Sequence, residues 1–514
     1  MKIPSPVKIF KNVNLQLLIF LVFFLNVKFI VKVAAIIFMI ASTRNFKFGF
    51  SLKNSRLPLF YLFIVLLECI KYLFVVRNYG LDYFLIFSLG VLQWALCLLS
   101  IHYLKLHIDR DNSGKTHDTI RAFFILNFLM SLFFLAILII HPIWLTFWGH
   151  GADITFNNPS AGDTILGISF DTSTVNSTIS CLGLIYFLYK KDFLFCLLTM
   201  LTITLCTSNA TFFLTVGILA LMIFTVREKK LRIYTLIYSL LFLLLYFLIS
   251  PKNRTYIRNY FIQLYVVNKN PDQQQVMDTL VYHIKVGDST MVVKKIVEAL
   301  PDSAYNYSNR RLGRAFSNFM SFRDFRRNDS GYMIVPDVIY NTKPGKLISF
   351  MQTYFYLRSS ISHFLFGAGI GNFSSKLAFR ASGVNALGSY PEQYRYTSAD
   401  FKYNHLRSYL YYYHSDASKH SVTNYPFSVY NQVLGEYGIT GAILFIVFYL
   451  GYFVSKYRRL SYGRYLIIIL LGFFLMEYWF ESLSLIVIFE LFMLLNIKEG
   501  RSISVDPARR IHNP

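Results

Sequence analysis

Twelve apolar stretches, joined by short polar connections and one long polar interval, organise this chain. They lie near 8–26, 28–42, 57–76, 82–101, 120–142, 173–189, 192–207, 209–226, 231–250, 438–455, 463–480 and 482–497. A helix needs roughly 20 apolar residues to cross the hydrocarbon core of a bilayer. LPLFYLFIVLLECIKYLFVV (57–76) and LRIYTLIYSLLFLLLYFLIS (231–250) meet that length. The second and the sixth to eighth stretches are short, so 11 spans or a broken helix pair near residue 28 are the alternatives. The pattern predicts an all-α polytopic integral membrane protein of about 12 transmembrane helices with one large, mainly helical extracytoplasmic loop. Residues 1–250 would carry helices 1–9, 251–437 the loop, 438–497 helices 10–12 and 498–514 a basic tail.

The loop is too long for a passive connection in a compact protein. Within it, VMDTLVYHIKVG, STMVVKKIVEALP and KLISFMQTYFYLRSSISHFLF space their apolar residues as helices do. Such segments are expected to lie on the membrane or pack over the bundle.

Composition agrees with a lipid environment. The 514 residues are 55% hydrophobic and 18% aromatic, with a mean hydropathy of +0.44 and only 15% charged. The basic start and apolar run of MKIPSPVKIFKNVNLQLLIFLVFFLNV resemble a signal peptide, but no small-x-small cleavage site follows. It is read as a retained first span. All five cysteines, Cys69, Cys97, Cys181, Cys196 and Cys206, fall in expected spans, as buried small hydrophobes rather than a disulfide framework or zinc site.

Charge adds an orientation. Lys2, Lys8 and Lys11, the group from Arg44 to Arg56, Lys105, Arg110 and Lys115, Lys190 and Lys191, Arg227 to Lys230, Lys456 to Arg459 and the tail occupy one alternating set of connections. The connection 143–172, in the other set, has three Asp and no Lys or Arg. By the positive-inside rule the first set, and both termini, face the cytoplasm and 251–437 faces outward. Much of the net charge of +24 therefore sets orientation and needs no nucleic acid as partner. From 251 to 435, however, 22 Lys and Arg stand against 11 Asp and Glu, a surplus of 11 on the side where the rule expects none. Either this is a solvated basic surface, or the loop meets an anion such as a phosphorylated lipid headgroup.

Arg254 and Arg258 are four apart after the ninth stretch, Arg310, Arg311 and Arg314 form a second cluster, and Arg323, Arg326 and Arg327 a third. Arginine forks match phosphate oxygens, and two clusters can clamp a diphosphate; membrane anchoring is the plainer reading. Ten tyrosines between 390 and 430 suit an interface belt, with a minority able to stack on sugar. No phosphate-binding loop, HExxH, nucleophile elbow or paired-carboxylate site stands out, and His283, His363, His405, His414 and His420 lack metal-ligand spacing. Neither a metal nor another cofactor is expected.

LFGAGIGNF (365–373), followed some sixty residues later by YNQVLGEYGITGAILFI, resembles the bacterial O-antigen polymerase and O-antigen ligase superfamily. That family shows a glycine-rich "fGvGpGnf" stretch and then "HNxxLxxxxExGxxG" leading into a span. The matching positions are Gly367, Gly369, Gly371, Asn372 and Phe373, then Asn431, Leu434, Glu436, Gly438 and Gly441. The family's His before Asn, the proposed base of the ligases, is Tyr430 here. Its Arg before the glycine stretch is absent too; Lys346 or Arg358 would serve.

The resemblance implies a metal-independent glycosyltransferase working at the outer face of the bacterial inner membrane. It would join undecaprenyl-diphosphate-linked oligosaccharide repeat units into O-antigen or capsular polysaccharide. Membrane lipids, a chain-length regulator and a flippase are the implied partners. Arg358, Lys346, Tyr430 and Glu436 are the catalytic candidates; Arg254, Arg258, Arg314, Gly367, Gly369, Asn372 and Asn431 are the substrate-binding candidates. The departing diphosphate gains charge in the transition state, which arginines would stabilise. The alternatives are a ligase that moves finished glycan to lipid A core, a polysaccharide flippase or other transporter, and a non-catalytic scaffold. Lys32, Glu68, Lys71, Glu477 and Glu490 are the intramembrane charges a transporter would need.

Overall fold

The computed structural model describes residues 12–43, 57–74, 81–141, 164–249, 343–384, 392–414 and 422–505, with short stretches at 281–286, 289–294, 326–327, 333–335 and 339–340. Arg254, Arg258 and Arg314 lie outside them. The chain divides into one unit of Met1–Ile249 with Asp324–Pro514 and a second of Ser250–Arg323.

The first unit is helical. Its first half holds α1 (Leu15–Phe24), α2 (Phe29–Ser42), α3 (Phe60–Phe74), α4 (Leu81–Arg110), α5 (Ser113–Ile140), α6 (Ser173–Lys190), α7 (Phe193–Leu205), α8 (Asn209–Thr225) and α9 (Lys229–Ile249). In the second unit β1 (Val281–Val286) pairs with β2 (Ser289–Lys294) as an antiparallel hairpin. Back in the first unit, β3 (Arg326–Arg327) pairs with β4 (Met333–Ile334). Then come α10 (Gly345–Leu357), α11 (Ile361–Phe366), α12 (Lys376–Ala381) and α13 (Ala399–Phe401). α13 continues through a π turn, Lys402–Leu406, into α14 (Arg407–Tyr413). α15 (Val429–Leu444) runs through a second π turn, Phe445–Leu450, into α16 (Gly451–Val454), and α17 (Gly463–Phe473) and α18 (Leu483–Val505) follow.

A helix stands at each of the twelve apolar stretches. Among the described residues, four helices are long and apolar enough to cross a membrane: Leu81–Arg110, Ser113–Ile140, Lys229–Leu248 and Val429–Arg459. The helical expectation fails at VYHIKVGDSTMVVK. There, Ile284 and Val286 precede Gly287–Asp288 in the sequence, Thr290 and Val292 follow, and Val286 pairs with Ser289. Alternation and a two-residue Gly-containing loop are hairpin signals that outweigh the helical spacing.

α6 and α18 form the centre of the helical unit and are buried along most of their length. α6 can be central because it is lined with small side chains, which let helices approach closely. At Gly183 a Cβ would sit 2.4 Å from the ring of Phe124. Asn127 and Asn176 close one end: Asn127 Nδ2 donates to Asn176 Oδ1 (2.8 Å) and Asn127 Oδ1 accepts the Ile168 N–H (3.0 Å). At the opposite end, Arg121 pairs with Asp192 (2.6 Å) and Lys190 with Glu499 (2.6 Å). Cys97, Cys181, Cys196 and Cys206 are buried, and none of the four is in a disulfide. An aromatic cluster of Phe60, Tyr61, Trp94, Tyr449 and Phe480 joins α3, α4, the second π turn and the segment before α18.

Candidate functional site

Two broken helices cross at the glycines. α11 stops at Gly367 (φ 66°, ψ −163°), and α15 is interrupted at Gly438 with nearly the same angles (φ 65°, ψ −164°). That backbone region is essentially closed to residues with a Cβ. Each break receives the other segment. The Ala368 N–H donates to the Gly435 carbonyl (2.8 Å) and the Gly369 N–H to the Glu436 carbonyl (2.8 Å). A Cβ on Gly367 would lie 2.6 Å from the Glu436 carbonyl carbon, and one on Gly438 2.6 Å from that of Leu365. Gly435 leaves room for the ring of Phe373, which a Cβ would approach to 2.1 Å.

The crossing leaves carbonyls exposed at the end of α11, where no further helical turn can use them. Lys71 takes them. Its ammonium donates to the Phe366 and Gly367 carbonyls (both 2.7 Å) and lies 3.5 Å from that of Glu436. One turn back on α3, Glu68 accepts the Ile370 N–H (3.2 Å). The Glu436 side chain is buried beside this point. Neither of its oxygens completes a hydrogen bond of ordinary geometry; the Ser375 hydroxyl and the Gly371 N–H are the polar groups that face it.

Behind the crossing lies a buried polar network. Asn431 Oδ1 accepts from the Thr353 hydroxyl (2.9 Å), while Nδ2 donates to Ser349 Oγ (3.0 Å) and the Pro426 carbonyl (3.1 Å). His405 meets the Ser349 carbonyl through Nε2 (3.0 Å) and Ser374 Oγ through Nδ1 (2.6 Å). A carbonyl only accepts, so Nε2 carries the hydrogen and Nδ1 accepts from Ser374. Ser374 in turn accepts from Tyr478 (2.7 Å). Burial pushes the imidazole down to about 3, so it is neutral at physiological pH.

At the rim the groups are more open. Asp400 is half-buried; burial raises its carboxyl to about 6 against a hydrogen bond from Tyr356 and the nearby charge of Lys71. The Tyr356 ring stacks on His363 (centroids 4.4 Å apart), whose Nδ1 lies 2.7 Å from Ser359 Oγ. Arg358 is exposed, with Nη1 donating to the Tyr354 hydroxyl (2.9 Å) and its guanidinium 5.5 Å from that ring. A carboxylate that gains its proton near neutrality can serve as a base, and an exposed guanidinium can meet an anion.

No family model, curated protein or solved structure matches the chain.

The geometry of the site sorts the residues singled out from the sequence. Gly367, Gly369, Asn372 and Glu436 come together at the crossing. Asn372 stabilises the glycine turn, donating to the Ala368 carbonyl (3.1 Å) and accepting from Tyr396 (2.8 Å). Asn431 has its polar atoms engaged inside the protein and holds α15 to α10. Tyr430 gives its hydroxyl to the Leu471 carbonyl (2.9 Å). Lys346 donates to the Phe427 carbonyl and faces Glu477; burial pushes its ammonium down to about 7. Arg358 reaches the rim. The sequence reading missed Asp400 and Tyr356 and passed over His405 as one of several scattered histidines. Their partners come from separate segments, so no spacing announced them.

Proposed function

We propose that the chain is a membrane glycosyltransferase that joins lipid-diphosphate-linked oligosaccharide repeat units into a surface polysaccharide. The observation that carries this reading is the paired backbone contact of 368–369 with 435–436. These are the two segments whose glycine patterns resemble the O-antigen polymerase and ligase superfamily, and they meet although more than sixty residues separate them.

On this reading the twelve helical stretches span the inner membrane of a bacterium, both termini are cytoplasmic and 251–437 lies outside. The acceptor sugar hydroxyl gives its proton to the Asp400 carboxylate and its oxygen bonds to the donor's anomeric carbon. The bond from that carbon to the diphosphate oxygen breaks, and Arg358 meets the charge on the departing group. The intramembrane charges support an enzyme over a transporter, because they are engaged locally instead of lining a path. Lys32 donates to the Phe24 carbonyl (2.9 Å), Lys71 and Glu68 hold the crossing, and Glu490 accepts from Tyr61 (2.5 Å).

The test is the surface glycan ladder after deletion of the gene. Acceptors capped by a single repeat unit, with no longer chains, are the expected result. Long lipid-linked polymer without transfer to the final acceptor would make the protein a ligase. Single units trapped on the cytoplasmic face would make it a transporter.

A further inference from the structure

α11 is six residues long and presents a largely apolar surface to its surroundings. Ile361 is 80% exposed, Phe364 47%, Leu365 36% and Phe366 36%. Its polar end, by contrast, is buried, with the Phe366 and Gly367 carbonyls capped by Lys71. A helix in water is expected to show the reverse. Non-helical backbone at membrane depth is tolerated only where protein covers it, as at this crossing. α11 packs on α15, which with the second π turn belongs to a helix long and apolar enough to span, and that helix exposes Ile443 (52%), Ile446 (58%) and Val447 (52%). Just before α11, Arg358 lies over Tyr354, an arginine–tyrosine pair suited to the membrane interface.

We infer that α11 is a re-entrant half-helix: it dips into the bilayer, contacts phospholipid acyl chains through Ile361, Phe364, Leu365 and Phe366, and ends at the Gly367–Gly438 crossing. This rests on the membrane-spanning reading above and not on the reaction proposed with it.

Single-cysteine substitutions in the full-length protein in membranes test it, with the wild-type chain as labelling background. Ser359→Cys is expected to react readily with a membrane-impermeant maleimide, whereas Phe364→Cys and Phe366→Cys react about tenfold or more slowly, as groups out of contact with water. A bimane attached at 364 in detergent, with the protein then reconstituted, is expected to be quenched by phosphatidylcholine brominated on its acyl chains. Equal labelling at 359 and 364 would overturn the inference by placing α11 in water. Slow labelling without quenching would overturn it too, because another part of the chain or a second copy would then cover the helix.

Discussion

At the scale of single residues, Asp400 and Asn431 differ in what surrounds their polar atoms, and their substitutions should separate accordingly. Asp400 is half-buried with its carboxyl raised from the ordinary 3.8 to about 6. As a base it is active only when deprotonated, so polymerisation by purified protein should be full above that value and fall as pH drops through it. Asp400→Asn is expected to lower the rate by about 100-fold or more, within the range of general base catalysis, and to abolish that acid limb. The stability effect runs differently. A carboxyl raised by folding binds more protons folded than unfolded between about 4 and 6, so stability falls as pH rises through that window. Asp400→Asn removes this term, and a rate loss without a lowered melting temperature in detergent would mark the role as chemical. Asn431→Leu should do the opposite. It removes one partner from the Thr353 and Ser349 hydroxyls, which keep the Ser349 and Lys346 carbonyls, and strands the Pro426 carbonyl, at about 1–3 kcal/mol for a buried group left unpaired. A clear drop in melting temperature is expected; an unchanged melting temperature with lost activity would place Asn431 at the substrate.

Among the elements, the interrupted helices are the most sensitive. Gly438→Ala forces a Cβ into backbone angles that cost about 1–3 kcal/mol and against the Leu365 carbonyl besides. Gly217, also in an apolar helix but with nothing within 4 Å of a Cβ, is the control, and Gly217→Ala should be tolerated. Comparable melting temperatures for the two variants would mean that the crossing is not required for folding. Helices were legible in the sequence wherever apolar runs coincide with turns of helix, as for α2 against 28–42 and α8 against 209–226. The breaks were not. The apolar run 463–480 contains a helix only to Phe473, after which the Phe474 carbonyl accepts the Val429 N–H (2.9 Å) and the Ser428 hydroxyl (3.0 Å). Likewise α15 begins at Val429, well before the run expected from 438. Hydrophobic periodicity reports a dry environment, not the direction of the backbone inside it. The glycines of both motifs were visible, but a contact between segments so far apart leaves no local trace.

For the whole molecule, the distribution of Lys and Arg predicts orientation independently of chemistry. Reporter tags in 143–172 should read as outside and tags between Arg227 and Lys230 as cytoplasmic; the reverse result would invert the proposed topology. The Lys71 and Glu68 contacts carry a further consequence, for biogenesis. α3 emerges early in synthesis, yet its two charges find their partners 295 and 302 residues later in the chain. At roughly 5–20 residues per second, that delay is tens of seconds. On the proposed topology, through that interval an otherwise apolar helix holds an ammonium and a carboxyl with neither of these backbone partners, charges that each cost about 2.5–3.5 kcal/mol at a membrane centre. α3 therefore settles only when the late segments arrive, and a chain truncated before residue 366 should leave it poorly inserted and open to proteolysis.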